Sequence, residues 1–358
     1  MIPRLQFEVI AASPSNYEYA LAHGADVSAP EFTDEQLARF AEYIRSFVPT
    51  SPSEDTTVPF VELHGPFVYS VFPKMAAFVR RLGDSVFPSV ITLDSIDMFE
   101  HRDEIMALWS AVGSNLRFNV KTTLLEDEDS AAVVGSPYYN LRWALARGFC
   151  STIVVNLTPA NSDRVVDMLD RFRKLRDVYP HIICKLRVDE SAPEIAGFDE
   201  NVLRVQFGFV QQVLDTDDEL KRSFIYSVPP ALRTGRAPEA LMAGLTAVLC
   251  DGGVLYPGYD VKYMSPEALD TLALGNIADD LAVLDAGRAL LVKQLDESGG
   301  GYTGDCYDKT RAVPWEDPDH ALSLVPSAQS CVLHELLAEY LPYRLTTSSA
   351  AYNGDSIG

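Results

Sequence analysis

Leu5-Gln6-Phe7-Glu8-Val9-Ile10-Ala11-Ala12-Ser13-Pro14-Ser15-Asn16-Tyr17-Glu18-Tyr19-Ala20 opens with a strand pattern and runs into a Ser-Pro-Ser-Asn turn. Apolar and β-branched residues dominate 5–12, and proline with small polar residues ends the run. The same pattern returns at 58–64, 89–95, 116–122, 151–157 and 182–188, six strands in all. Between them lie helical periodicities. Thr33 can cap a helix whose Leu37, Phe40, Ala41, Ile44, Phe47 and Val48 share one face, and Pro49 and Pro52 stop it. Further helices are predicted over 74–82, 102–112, 138–147 and 162–178. A strand-helix alternation of this kind predicts a parallel sheet, because parallel neighbours need crossover connections.

Beyond residue 190 the pattern loosens. Residues 202–210 read as a further strand, the acidic Asp215-Thr216-Asp217-Asp218-Glu219 and Pro229-Pro230 follow, and a compact unit is predicted at 240–285. There, Ala247-Val248-Leu249-Cys250-Asp251-Gly252-Gly253-Val254-Leu255-Tyr256-Pro257-Gly258 reads as a hairpin with an Asp-Gly-Gly turn, and Leu274-Gly275-Asn276-Ile277 comes some twenty residues later. Gly299-Gly300-Gly301 is a predicted hinge before a helix at 328–340 and a polar tail.

Composition narrows the classes. The chain has 358 residues, 47% of them hydrophobic, and a formal charge of −22. Such a charge opposes close approach to a phosphate backbone or an anionic lipid surface, so general nucleic-acid or membrane binding is not expected. Its first residues lack the basic start and long apolar run of a signal peptide, and no apolar run reaches spanning length. A cytoplasmic protein is expected. Cys150, Cys184, Cys250, Cys306 and Cys331 are widely spaced, without CxxC, which argues against a disulfide framework and a local metal motif. None of the six histidines forms HxH or HExxH. Glu126-Asp127-Glu128-Asp129 lacks the ligand spacing of a calcium loop and reads as a solvated acidic loop.

The Asp-Gly-Gly hairpin followed by Leu-Gly-Asn-Ile resembles the SPASM or twitch C-terminal region of radical SAM enzymes, whose hairpin ends in Tyr-Pro-Cys. Gly258 stands where that family places the cysteine. The resemblance extends to the amino-terminal half, because the family is a partial barrel of six βα units with its cluster loop after the first strand. The family motif CxxxCxxC falls on Ser13, Tyr17 and Ala20, with Tyr19 as its customary aromatic. The Gly-Gly-Glu-Pro type motif after the second strand falls on Glu62-Leu63-His64-Gly65-Pro66-Phe67, where Gly65 is kept and the acidic residue is not.

The resemblance therefore implies an α/β fold, a partial (β/α)6 TIM-like barrel with a smaller SPASM/twitch-like extension. The corresponding boundaries are 1–235 for the barrel, 236–298 for the SPASM/twitch-like region and 299–358 for the terminal helix and tail. The family uses a [4Fe–4S] cluster and S-adenosylmethionine. With the ligand positions at Ser13, Tyr17, Ala20 and Gly258 changed, neither cofactor is expected, no catalytic or metal residue is assigned, and a non-catalytic binding or structural component of a larger assembly follows. A protein partner or homo-oligomer belongs to that reading.

Two alternatives stay open. One is an enzyme or a small-molecule or nucleotide binder with a remodelled barrel pocket. The other is an atypical radical SAM enzyme that takes its ligands from elsewhere. Candidate residues for a residual pocket are His64, Gly65, Asn156 and Arg187. His64 ends a predicted strand, where βα enzymes place functional groups. Asn119 and Lys185 are further polar strand residues, and alternation along a strand leaves the direction of each undetermined.

Overall fold

Phe7 and Val9 are fully buried while Glu8 between them is only partly so, the alternation that makes this segment a strand with one face against helices. In the computed structural model the described residues are 6–48, 59–83, 86, 88–125, 133–189, 192–228, 245–256, 261–287, 289 and 327–345. They form two compact units. The first takes in the described residues up to Ile91, Asp103–Arg117 and those of Thr234–Val325; the second takes in Thr92–Arg102, those of Phe118–Arg233 and 327–345.

In the first unit β1 (Gln6–Ile10) lies between two parallel neighbours, β2 (Phe60–His64) and β8 (Leu245–Leu249). Outside β2 lies β3 (Ser89–Asp94), again parallel; its last residues, from Thr92, count with the second unit. Outside β8 the direction reverses: β9 (Val254–Tyr256) and then β10 (Gly275–Asn276) run antiparallel to their neighbours. The Asp-Gly-Gly turn and Leu-Gly-Asn-Ile thus meet in one small sheet, fastened by Leu274 N–H to Leu255 O (2.8 Å), Ile277 N–H to Gly253 O (2.8 Å) and Asn276 Nδ2 to Gly252 O (2.9 Å).

Helices α1 (Tyr17–Ala22), α2 (Asp34–Ser46), α3 (Val68–Leu82), α4 (Arg102–Val112) and α9 (Pro266–Leu272) accompany these strands. Thr33 caps α2 as its sequence suggests: Thr33 Oγ1 accepts from Gln36 N–H at 3.1 Å, and Gln36 Oε1 accepts from Thr33 N–H at 2.8 Å. The buried face of α2 meets β1 through rings, Phe7 standing edge-on to Phe40 (6.1 Å) and Tyr43 (6.0 Å). Such pairs add ~0.5–1.5 kcal/mol each beyond the area they bury.

α3 begins at Val68, six residues ahead of the sequence expectation, and carries Pro73 inside it. Proline in a helix interior costs ~3 kcal/mol. Val68, Val71 and Phe72 are buried on the turns before it, and full burial of side chains of this size returns ~1.5–3 kcal/mol each. The apolar face outweighs the proline.

The second unit holds five parallel strands in the order β4 (Leu116–Lys121), β5 (Cys150–Leu157), β6 (Ile183–Val188), β7 (Phe224–Val228) and β11 (Tyr343–Leu345). Helices α5 (Pro137–Ala146), α6 (Val165–Val178), α7 (Glu200–Asp215), α8 (Asp218–Ser223) and α10 (Ala328–Tyr340) belong to it. A 3-10 turn, Ser162–Arg164, precedes α6.

Residues 202–210, read from sequence as a strand, are the middle of α7. Leu203, Phe207, Val210 and Leu214 are buried at helical spacing, and the Asp199 carboxylate caps the helix by accepting from Asn201 N–H (2.9 Å). The strand-like alternation arises because the outer face also carries apolar side chains. Val205 is 74% exposed and Phe209 50%.

The glycine hinge at 299–301, the acidic run 126–129, Cys306, Gly258 and the tail lie outside the described residues. No helix among the described residues is long and apolar enough to cross a membrane.

Candidate functional site

In parallel strands, residues paired across the ladder project to the same face, so the register assigns each polar strand residue a side. In the first unit Glu8 pairs with Glu62 and with Val248, and Ile10 pairs with His64. The face opposite Phe7 and Val9 therefore carries Glu8, Glu62 and His64. His64 Nε2 and Glu8 Oε2 are 3.0 Å apart, and each side chain is only 19% exposed. Partial burial strengthens such a contact over its value in water.

Immediately after His64 the backbone turns at Gly65, with φ of +127°, and closes on the loop that leaves β1. Ala11 N–H donates to His64 O (2.7 Å), and Phe67 N–H donates to Ala11 O (3.0 Å). A β-carbon on residue 65 would stand 2.8 Å from the Ala11 carbonyl oxygen, so the close approach of these two loops requires glycine.

The loop after β1 is fixed from three directions. Ser13 joins Ser28 in an antiparallel bridge, Ser13 N–H to Ser28 O at 2.9 Å and Ser28 N–H to Ser13 O at 2.8 Å. The Ser13 hydroxyl donates to Asp251 Oδ2 at 2.7 Å, while Asp251 Oδ1 accepts from Glu31 N–H at 2.8 Å. Asn16, itself buried, donates through Nδ2 to Met264 O at 2.8 Å. The Ser13-Pro14 peptide is cis. Tyr17 and Ala20 are both buried, on the helix that follows. Cys250, hydrogen-bonded to Ser15, is fully buried, and burial pushes its thiol pKa up against the opposing effect of that bond.

The second unit carries a polar face of a different sign. Asn119 pairs with Thr152 and Lys121 with Val154; Val154 pairs with Lys185, and Asn156 lies directly opposite Arg187. Asn119, Lys121, Thr152, Asn156, Lys185 and Arg187 consequently share a face. The other face presents Ile153, Val155, Cys184 and Leu186, all fully buried. Asn119 and Lys185 are themselves buried. Lys121 reaches Asp94 at 3.7 Å. Nearby, Asp97 has its carboxyl pKa raised, first by desolvation and next by the Asp94 charge.

The structure thus brings His64 together with Gly65 in the first unit and Asn156 together with Arg187 in the second. Sequence reasoning missed Glu8, Glu62 and Asp251. Glu8 and Glu62 were findable: each is a charged residue within an apolar strand, the same signal that marks Asn119 and Lys185. Asp251 was read only as part of a turn, and its bond to Ser13 spans 238 residues of sequence. Among the described residues no group of three or more His, Cys, Asp or Glu is placed to hold a metal ion.

Neither a protein-family model nor a curated protein matches the chain. Solved structures do. Native anSMEcpe with bound AdoMet and Cp18Cys peptide is 14% identical at a TM-score of 0.51, over 94% of this chain and 96% of that one. A histidine-tagged form of anSMEcpe with bound AdoMet is 13% identical at a TM-score of 0.50, over the same shares. At this identity the likeness is one of fold, and anSME is a radical SAM enzyme with a SPASM domain. The chain is an α/β protein, with parallel strands and helices arranged like those of the radical SAM TIM-barrel enzymes.

Proposed function

We propose that this chain keeps a radical-SAM-like fold without the family's cluster chemistry and serves as a non-catalytic binding or structural component inside the cell. The observation that carries the reading is what occupies the loop after β1. At the three positions corresponding to cluster ligands stand a hydroxyl bonded to Asp251, a buried phenol ring and a buried methyl group. Tested against a [4Fe–4S] cluster, these residues do not fit, because the cluster is held by several thiolates. Cys250 supplies one thiol, and its raised pKa disfavours the thiolate. The methionine end of S-adenosylmethionine would find Gly65 but no acidic residue at the place that the family motif gives it. Unpaired thiols at Cys150, Cys184, Cys250 and Cys331 support a reducing compartment.

Anaerobic reconstitution with iron and sulfide tests this reading. The expected outcome is sub-stoichiometric iron removed by desalting, with no cluster absorbance band. One cluster per chain overturns it.

A second reading is favoured by the polar face of the second unit. Asn156 opposite Arg187, beside Lys185, offers amide and cationic donors suited to a carboxylate or phosphate group. A thermal-shift panel of small carboxylates, phosphates and nucleotides tests it, since a ligand specific for the native state raises the midpoint. A hit abolished by Arg187→Ala supports this reading, and a flat panel rejects it.

A further inference from the structure

Lys185 is the third residue of β6, on the polar face of the second unit, and only 9% of it is exposed. Its neighbours across the ladder are Val154 on β5 and Ile225 on β7, both buried and both on the same face. Two residues further along β6, again on that face, stands Arg187, with Asn156 opposite it. Lys121, in the row of Val154 and Lys185, adds a positive charge that Asp94 answers at 3.7 Å. β4, β5 and β6 contain no Asp or Glu, in a chain that has 51 of them. Desolvation favours the uncharged form of a lysine, and positive neighbours favour it further. That form is a nucleophile toward carbonyl carbon, and a desolvated site beside another cation is the setting that activates it.

We propose that Lys185 captures the carbonyl carbon of a short-chain oxo acid as an imine, while Arg187 and Asn156 hold the acid's carboxylate. Such capture presupposes the carboxylate site of the second reading and adds a covalent step to it. In that step the Nζ lone pair forms a bond to the carbonyl carbon as the carbonyl π pair moves to oxygen. A proton passes from nitrogen to that oxygen, water leaves, and the C=N bond closes. Nothing is oxidised or reduced, and water is the only other product. The neighbours select the substrate class. Arg187 beside Asn156 offers donors to a carboxylate, and the apolar Val154 and Ile225 that flank the amine suit a short carbon chain. A monocarboxylate also meets less repulsion from a chain at −22 than a phosphate ester does.

Borohydride trapping on the full chain, with pyruvate as the probe, tests the proposal. Hydride reduces the imine to a secondary amine, so the intact mass should rise by one pyruvate less one oxygen atom. Peptide mapping should place that gain on Lys185 alone among the 8 lysines of the chain. Lys185→Met, an apolar replacement of similar length, should lose the adduct with an unchanged circular dichroism spectrum. Arg187→Ala should lower the yield at limiting pyruvate at least about tenfold, the value of a hydrogen bond to a charged group. The same variant should leave trapping of acetone, a carbonyl without a carboxylate, unchanged. Lactate, a carboxylate without the carbonyl, separates the two ideas. A thermal midpoint raised by lactate with no pyruvate adduct overturns the imine and leaves the carboxylate site standing, whereas no shift and no adduct removes both. Adducts spread over several lysines, or one at Lys185 indifferent to Arg187→Ala, also overturn the proposal.

Discussion

Gly65 and Ala11 approach so closely that a β-carbon at residue 65 would lie 2.8 Å from the Ala11 carbonyl oxygen and 2.9 Å from its carbon. Both atoms belong to backbone, which cannot swing away, and the φ of +127° is itself unfavourable for any side chain. Gly65→Ala is therefore expected to cost at least ~2 kcal/mol, measured by urea unfolding. Gly24 provides the comparison. It also has a positive φ (+72°), but open space surrounds it, so Gly24→Ala should cost only ~1 kcal/mol. Equal losses at the two positions would show that the close approach is not what selects glycine at 65.

The Ser13–Asp251 contact can be isolated by a double-mutant cycle. Ser13→Ala, Asp251→Ala and the double variant should give a coupling energy of ~1.5–3 kcal/mol, as for a hydrogen bond to a charged acceptor. Asp251→Ala alone should cost more than Ser13→Ala, because it also strands the Glu31 N–H. Additive single losses would show that the Ser13 hydroxyl and the Asp251 carboxylate do not act together in fixing the loop.

Three buried thiols set an alkaline limit on stability. Burial pushes Cys150 up from 9.0 to about 12, and it raises Cys184 and Cys250 as well. The native state thus keeps protons that the unfolded chain surrenders once pH exceeds 9.0. Their contribution is whole below that pH and is lost as pH rises from 9.0 toward about 12. Each proton withheld steepens the decline by ~1.4 kcal/mol per pH unit. Urea titrations at a series of alkaline pH values should show the fall, and Cys184→Ala should make it shallower by that increment.

Thr33→Ala removes one half of the capping box on α2. A loss of ~1 kcal/mol is expected in thermal or urea unfolding. Thr33→Ser, which keeps the acceptor oxygen, should recover most of it.

What the sequence disclosed follows from the range of the forces involved. The strands from β1 to β6 were legible because each is a local run of apolar and β-branched residues, and α2 was legible from Thr33 and its apolar stripe. α7 was misread because Val205 and Phe209 on its outer face imitate the alternation of a strand, while the buried partners that settle the matter lie on other elements. α3 was shortened because Pro73 is a stronger local signal than the burial of Val68 and Phe72, which depends on the whole sheet. At the candidate site, the placement of His64 at a strand end was readable. Its contact with Glu8 depends on the β1–β2 register, and the facing of Asn156 and Arg187 on that of β5 and β6. Register is a long-range property that no single window of sequence contains.

The position of β1 between β2 and β8 has a consequence for the chain while it is being made. Ser13 and Asp251 are 238 residues apart, and at ~5–20 residues per second a ribosome needs roughly 10–50 s to travel that far. Until β8 emerges, β1 has a neighbour on one side only. Its other edge, apolar and unpaired, is a template for strands of other nascent chains. β1 thus leaves the ribosome long before its second neighbour, and one of its edges is enclosed only when β8 arrives.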